Sequence, residues 1–159
     1  MLWLAAIGLL AGLTVLFQAV QPGRGGVVNS VSEAGRSMIV LERDRSGHYL
    51  AKGEINGHTV NFLVDTGATD VAVSEHMARE LGLDFGPRVA VMTAAGPVRG
   101  WKTRLARVSI GAISLENVGA TITRGPLDEV LLGMSFLKHF TLRQQGTQLF
   151  IESGNMQGS

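Results

Sequence analysis

A mainly β protein, a small barrel or folded sheet with one or two short helices behind an N-terminal transmembrane helix, is the fold class this sequence predicts. Three observations predict it. Short apolar runs alternate with turn signals from about residue 38 to the end, the pattern of many short strands. Helical periodicity is confined to brief stretches. Residues 1–20 carry no charged side chain.

The apolar segment comes first. Only Thr14 and Gln18 are clearly polar within residues 1–20, and about twenty helical residues span the roughly 30 Å of a bilayer core. A signal peptide is the rival reading. It wants a basic start and a small-x-small cleavage site. This segment has no Lys or Arg, and Phe17-Gln18-Ala19 fits such a site poorly. An uncleaved membrane anchor is therefore expected. Residues 21–37 are rich in Gly and Ser and read as a flexible linker. The folded domain is expected over 38–159.

Within that domain, Met38-Ile39-Val40-Leu41 is an apolar run and Asp44-Arg45-Ser46-Gly47 a turn. Residues 48–55 alternate loosely, Asn56-Gly57 is a strong hairpin signal, and residues 58–64 form the return strand. Val71-Ala72-Val73 predicts another strand. Ser74 is placed to N-cap a short helix, with Glu75 favourable in its first turn. Met77 and Leu81 lie four apart on one helix face, and Gly82 supplies the stop. Strands follow at 88–94, 98–108 and 115–122, punctuated by Gly96-Pro97, Gly111 and Gly125-Pro126. Val130-Leu131-Leu132 reads as a buried strand meeting Gly133. Residues 134–140 predict a short helix, and 140–143 with 148–152 a closing hairpin around Gln145-Gly146. About 105 residues are enough for one hydrophobic core.

Composition excludes several functions. The formal net charge is +1, with mixed signs and no basic stripe, so no nucleic-acid partner is expected. There is no cysteine, which removes disulfides, thiolate catalysis and Cys-based zinc sites. The four histidines follow no metal-ligand spacing. His48 and His58 are read as facing each other across a hairpin, and His76 and His139 as lying on separate helices. No metal and no cofactor is expected. Arg79, Arg99, Lys102 and Arg104 read as solvated faces, and Trp101 as packing.

The most informative stretch is Asp65-Thr66-Gly67-Ala68, directly after the apolar run Val60-Asn61-Phe62-Leu63-Val64. A carboxylate at the exit of a buried strand is costly unless hydrogen-bonded, paired or protonated. An Asx turn at a strand end is the ordinary alternative to a catalytic acid. Asp70 reads equally as a supporting contact or a solvated loop charge.

Three segments carry a family resemblance: Phe62-Leu63-Val64-Asp65-Thr66-Gly67-Ala68-Thr69, then Thr93-Ala94-Ala95-Gly96-Pro97-Val98, then Leu131-Leu132-Gly133-Met134-Ser135-Phe136-Leu137. From about residue 46 to 152 the chain resembles the retropepsin-type aspartic proteases, and more closely their bacterial, membrane-anchored, single-lobed members. The resemblance implies a closed retropepsin-like barrel and an aspartic endopeptidase acting on polypeptide. Asp65 would be the catalytic acid, with Thr66 bracing the turn, Gly67 giving backbone room and Ala68 lining the channel. Residues 91–101 would form a flap with Ala94, Ala95, Gly96 and Pro97 at its end. Leu131, Leu132 and Gly133 form the accompanying apolar-apolar-Gly element. No other aspartate precedes Thr/Ser-Gly, so one chain supplies half a dyad and a symmetric homodimer is implied. The resemblance also implies a single-pass protein of a bacterial inner membrane with a periplasmic domain. Arg24 and Arg36 after the anchor point weakly the other way. The alternative function is a non-catalytic dimerisation or peptide-binding module on a membrane tether.

Overall fold

The computed structural model describes residues 26–154 except Ala34 and Ala94. The expected anchor at 1–20 lies outside the described residues. Eleven strands and two short helices follow in the order β1 (Val27–Glu33), β2 (Arg36–Glu42), β3 (Leu50–Ile55), β4 (His58–Val64), β5 (Val71–Ser74), α1 (Glu75–Glu80), β6 (Arg88–Thr93), β7 (Gly96–Ile110), β8 (Ile113–Thr123), β9 (Val130–Leu132), α2 (Met134–Leu137), β10 (Phe140–Gln145) and β11 (Gln148–Ser153).

Six of these strands close a barrel in the order β3-β4-β9-β5-β8-β7, and β7 returns to β3 through Glu54 opposite Ser109 and Ile55 opposite Val108. The β3–β4 hairpin turns at Asn56 (φ 51°) and Gly57 (φ 82°), the paired positive φ values that a two-residue loop needs. His58 sits opposite Ile55 beside that turn, while Leu50 pairs with Leu63 at the other end of the ladder. His48 precedes Leu50, so the two histidines are at opposite ends of the hairpin and do not face each other. β6 hangs from β7 as a second hairpin, with Arg88 opposite Trp101 and Thr93 opposite Gly96.

The other sheet has the order β1-β2-β11-β10. Its Ile39, Leu41, Leu149 and Ile151 join Phe62, Leu105 and Ile122 of the barrel and Phe136 of α2 in one core. Each fully buried side chain of this kind contributes about 1.5–3 kcal/mol. The stretch expected as a linker over 21–37 therefore contains a strand, β1, paired in register with β2 through Ser30 opposite Ile39 and Val31 opposite Met38. Ser30 Oγ also accepts the Ala112 N–H at 2.6 Å, which ties this hairpin to the barrel. The fold begins before residue 38 because backbone pairing recruits a segment whose composition is that of a linker.

α1 forms as its residues dictate. Ser74 Oγ accepts the Met77 N–H at 3.2 Å, and Met77 and Leu81 pack on the core. α2 is shorter than the expected 134–140, ending at Leu137, because Phe140 enters β10 and pairs with Ser153.

Candidate active site

Asp65 is positioned by the way the chain crosses the barrel. β9 lies between β4 and β5, parallel to β4 and antiparallel to β5. The connection from β4 to β5, residues 65–70, must arch over the end of β9 where Gly133 sits. The Asp65 N–H donates to the Leu132 carbonyl at 3.2 Å, extending the β4–β9 ladder to the acid itself. The Ala68 N–H donates to the Asp65 carbonyl at 3.2 Å and closes a turn. The Gly67 N–H donates to Asp65 Oδ1 at 2.9 Å. Asp65 is half-buried, with Thr66 and Gly67 exposed beside it.

The arch is pinned from below. The Met134 and Ser135 N–H groups at the start of α2 donate to the Ala68 and Thr69 carbonyls, each at 2.8 Å. Ser135 Oγ accepts the Val71 N–H at 2.9 Å and donates to the Gly119 carbonyl at 2.7 Å. One hydroxyl thus joins the end of the arch to β8. Gly133 is required by space: a Cβ there would overlap the Asp70 carbonyl and come within 2.7 Å of the Ala68 carbonyl. The sequence-predicted residues Asp65, Thr66, Gly67, Ala68, Leu132 and Gly133 are therefore brought together. Leu131 joins them from the β9 ladder, opposite Leu63 on one side and Ala72 on the other.

Asp70 closes the arch. Its Oδ2 accepts a hydrogen bond from Thr121 Oγ1 at 2.8 Å and forms an ion pair with Lys102. The Asp70 side chain is 20% exposed. Burial pushes its carboxyl up, but the hydrogen bonds from Lys102 and Thr121, with the charges of Lys102 and Lys138, outweigh that and hold it below the ordinary carboxylate value. A groove of ≈540 Å³ opens beside it, with Asp84, Lys102 and Arg104 on its walls. Asp70 is thus neither solvated nor idle, and Lys102 is no plain surface charge. The bracing roles of Ser135, Lys102 and Thr121 have no local motif. Ser135 lies 64 residues from Val71, and Asp70 lies 32 residues from Lys102.

Of the expected flap residues, Ala94 lies outside the described residues. Ala95 is exposed in the β6–β7 turn, and Gly96 has φ 108°, a conformation that suits glycine alone. Thr93 Oγ1 donates to the Gly96 carbonyl at 2.7 Å, and Pro97 pairs opposite Met92.

Known proteins resemble this chain in sequence and in fold. The chain is 36% identical over 143 residues to an uncharacterized protein from the cobV 5' region of a Sinorhizobium species, covering 87% of this chain and 58% of that one. It is 33% identical over 105 residues to an uncharacterized protein of Rickettsia prowazekii (strain Madrid E), covering 64% of this chain and 45% of that one. The chain thus spans about half the length of these curated relatives. Among solved structures, a retropepsin-like aspartic protease from Rickettsia conorii superposes with a TM-score of 0.61 at 29% identity, covering 79% of this chain and 95% of that one. Residues 51–139, more than half of the chain and inclusive of every residue of the Asp65 arch, match the family described as "gag-polyprotein putative aspartyl protease", and the chain belongs to that retropepsin-like aspartic protease family.

Proposed function

We propose that the chain is an aspartic endopeptidase that works as a symmetric homodimer, with Asp65 from each subunit forming the catalytic dyad. The observation that carries this reading is the presentation of Asp65: a carboxyl on a braced arch, Oδ1 already holding the Gly67 N–H, with Thr66 and Gly67 exposed in the single chain. The sequence contains one Asp-Thr-Gly, so the second carboxyl comes from a second copy.

Two carboxyls about 3 Å apart cannot both ionise and share one proton, and the resulting pKa values belong to the pair. The ionised member takes a proton from a water held between them. The protonated member donates to the carbonyl oxygen of the scissile peptide as the hydroxyl attacks its carbon. Collapse of the tetrahedral adduct then returns a proton to the leaving amine. The Thr66 hydroxyls would brace the paired turns, and the β6–β7 hairpin would close over the substrate and exclude water. Residues 1–20 would anchor the subunits in a bacterial inner membrane with the domain on the periplasmic side. Confinement to a membrane raises effective concentration and favours the dimer.

The test compares the full-length protein with Asp65→Asn on a denatured protein substrate from acidic to neutral pH. Cleavage by the native chain alone is expected, and equal cleavage by both removes the peptidase reading. A native chain that cleaves while sedimenting as a monomer overturns the paired mechanism. A reporter fused after Ser159 reads the membrane side.

A further inference from the structure

The β6–β7 hairpin carries a second site, built of arginines. Arg88, Arg99 and Arg124 surround Trp101 at a cavity of ≈400 Å³, and among the described residues no acidic one lines it. The ladder explains the convergence. Arg88 pairs with Trp101 and Ala90 with Arg99, so Arg88 and Arg99 lie diagonally on one face of the hairpin, about 7–8 Å apart at the backbone. This is the more exposed face; Val89, Val91 and Val98 alternate onto the other.

The third arginine is held in place. The Arg124 N–H donates to the Arg99 carbonyl at 3.4 Å. Its guanidinium lies 5.7 Å from the Trp101 ring centre, and its Nε lies 3.7 Å from Glu75. Glu75 is shared with Arg79 at 2.7 Å. Trp101 in turn packs edge-on against Phe85 at 5.2 Å. Neither Arg88 nor Arg99 has an ion-pair partner among the described residues.

We propose that this face of the hairpin is a binding site for an extended, acidic polypeptide segment. The argument is one of charge and spacing. Two guanidiniums without an ion-pair partner among the described residues, Arg88 and Arg99, beside an Arg124 whose charge Glu75 partly offsets, leave the patch net positive and suit carboxylates, which a guanidinium holds bidentately. In an extended chain, side chains on one face repeat about every 6.7 Å, close to the diagonal separation of Arg88 and Arg99. Trp101 supplies an apolar floor between them. This binding does not depend on the peptidase reading.

The experiment measures fluorescence anisotropy of a labelled twelve-residue Glu-Ser repeat peptide with full-length Asp65→Asn protein, which the peptidase reading makes inert toward the probe. Saturable binding is expected, weakened at least tenfold by R88E/R99E and by raising salt. The same charge change placed elsewhere, R45E/K52E, is expected to leave binding within twofold. Thermal unfolding of each variant checks that these exposed substitutions leave the fold intact; R88Q/R99Q replaces R88E/R99E if that variant unfolds. The proposal is overturned if a Lys-Ser peptide binds equally, or if R45E/K52E weakens binding as much as R88E/R99E. It is also overturned if millimolar inorganic phosphate displaces the peptide, or if anionic lipid vesicles bind in its place.

Discussion

Gly133 lies so close beneath Asp70 that a Cβ at position 133 would overlap the Asp70 carbonyl oxygen. The contact is backbone against backbone, so no side-chain rotation relieves it. Gly133→Ala must therefore lift the arch that carries Asp65. An overpacking cost of about 2–3 kcal/mol is expected, a fall in Tm of roughly 4 °C per kcal/mol for a domain of this size. Differential scanning calorimetry measures it. Cleavage should fall further than stability, because the arch holds the catalytic carboxyl.

Ser135 offers a milder cut at the same arch. Ser135→Ala leaves the Val71 N–H and the Gly119 carbonyl without the hydroxyl that joins them. Loss of partners for buried polar groups costs about 1–3 kcal/mol. Urea unfolding should show the midpoint falling with an unchanged slope.

Asp70 sets an acid dependence with a definite sign. Its carboxyl is held below the ordinary value by Lys102 and Thr121, against the opposing effect of burial. The folded state therefore releases this proton more readily than the unfolded state. The resulting stability is complete above the unfolded aspartate value of about 3.9 and is lost as pH falls through the lower folded value. Across pH 2.5–6, Asp70→Asn should be less stable than the native chain at the upper end, and the two Tm curves should converge below about pH 4. Parallel curves would show that the contact does not titrate as described.

The proposed dyad makes inactive subunits poisonous. Asp65→Asn keeps an oxygen to accept the Gly67 N–H, so its stability should match the native value within about 0.5 kcal/mol. Mixed with the native protein in threefold excess, it should capture native subunits in one-acid dimers and reduce cleavage to roughly a quarter per native subunit. Activity unchanged by the admixture would exclude the shared dyad.

How much of this was legible in the sequence depends on the range of each contact. Asn56-Gly57 announces its hairpin because the turn requirement is carried by the two residues themselves. Ser74, Glu75, Met77 and Leu81 announce α1 for the same reason: capping and helical spacing act within seven residues. Asp65-Thr66-Gly67 and Leu131-Leu132-Gly133 were visible as strand ends, and their joining follows from β4 lying parallel to β9. Four features were not legible. β1 is a strand because β2 offers an edge, whereas its own composition is that of a linker. Ser135 bridges Val71 and Gly119, and Lys102 meets Asp70, across distances in the chain that no local pattern spans. The separation of His48 from His58 follows from strand register, which alternation alone left open.

β7 runs unbroken from the hairpin turn to the closure of the barrel, Gly96 to Ile110. Its first residues pair with β6, and its last meet β3. Lys102, which reaches Asp70, lies just past the β6-paired stretch. Strand alternation has period two, so inserting one residue near position 101 would turn the arginine face of the hairpin over or withdraw Lys102 from Asp70. The length of this strand is thus a shared gauge for three parts of the molecule. Descendants of this sequence are free to lengthen the turn between β6 and β7, but a single-residue insertion or deletion between Arg99 and Arg104 would be purged.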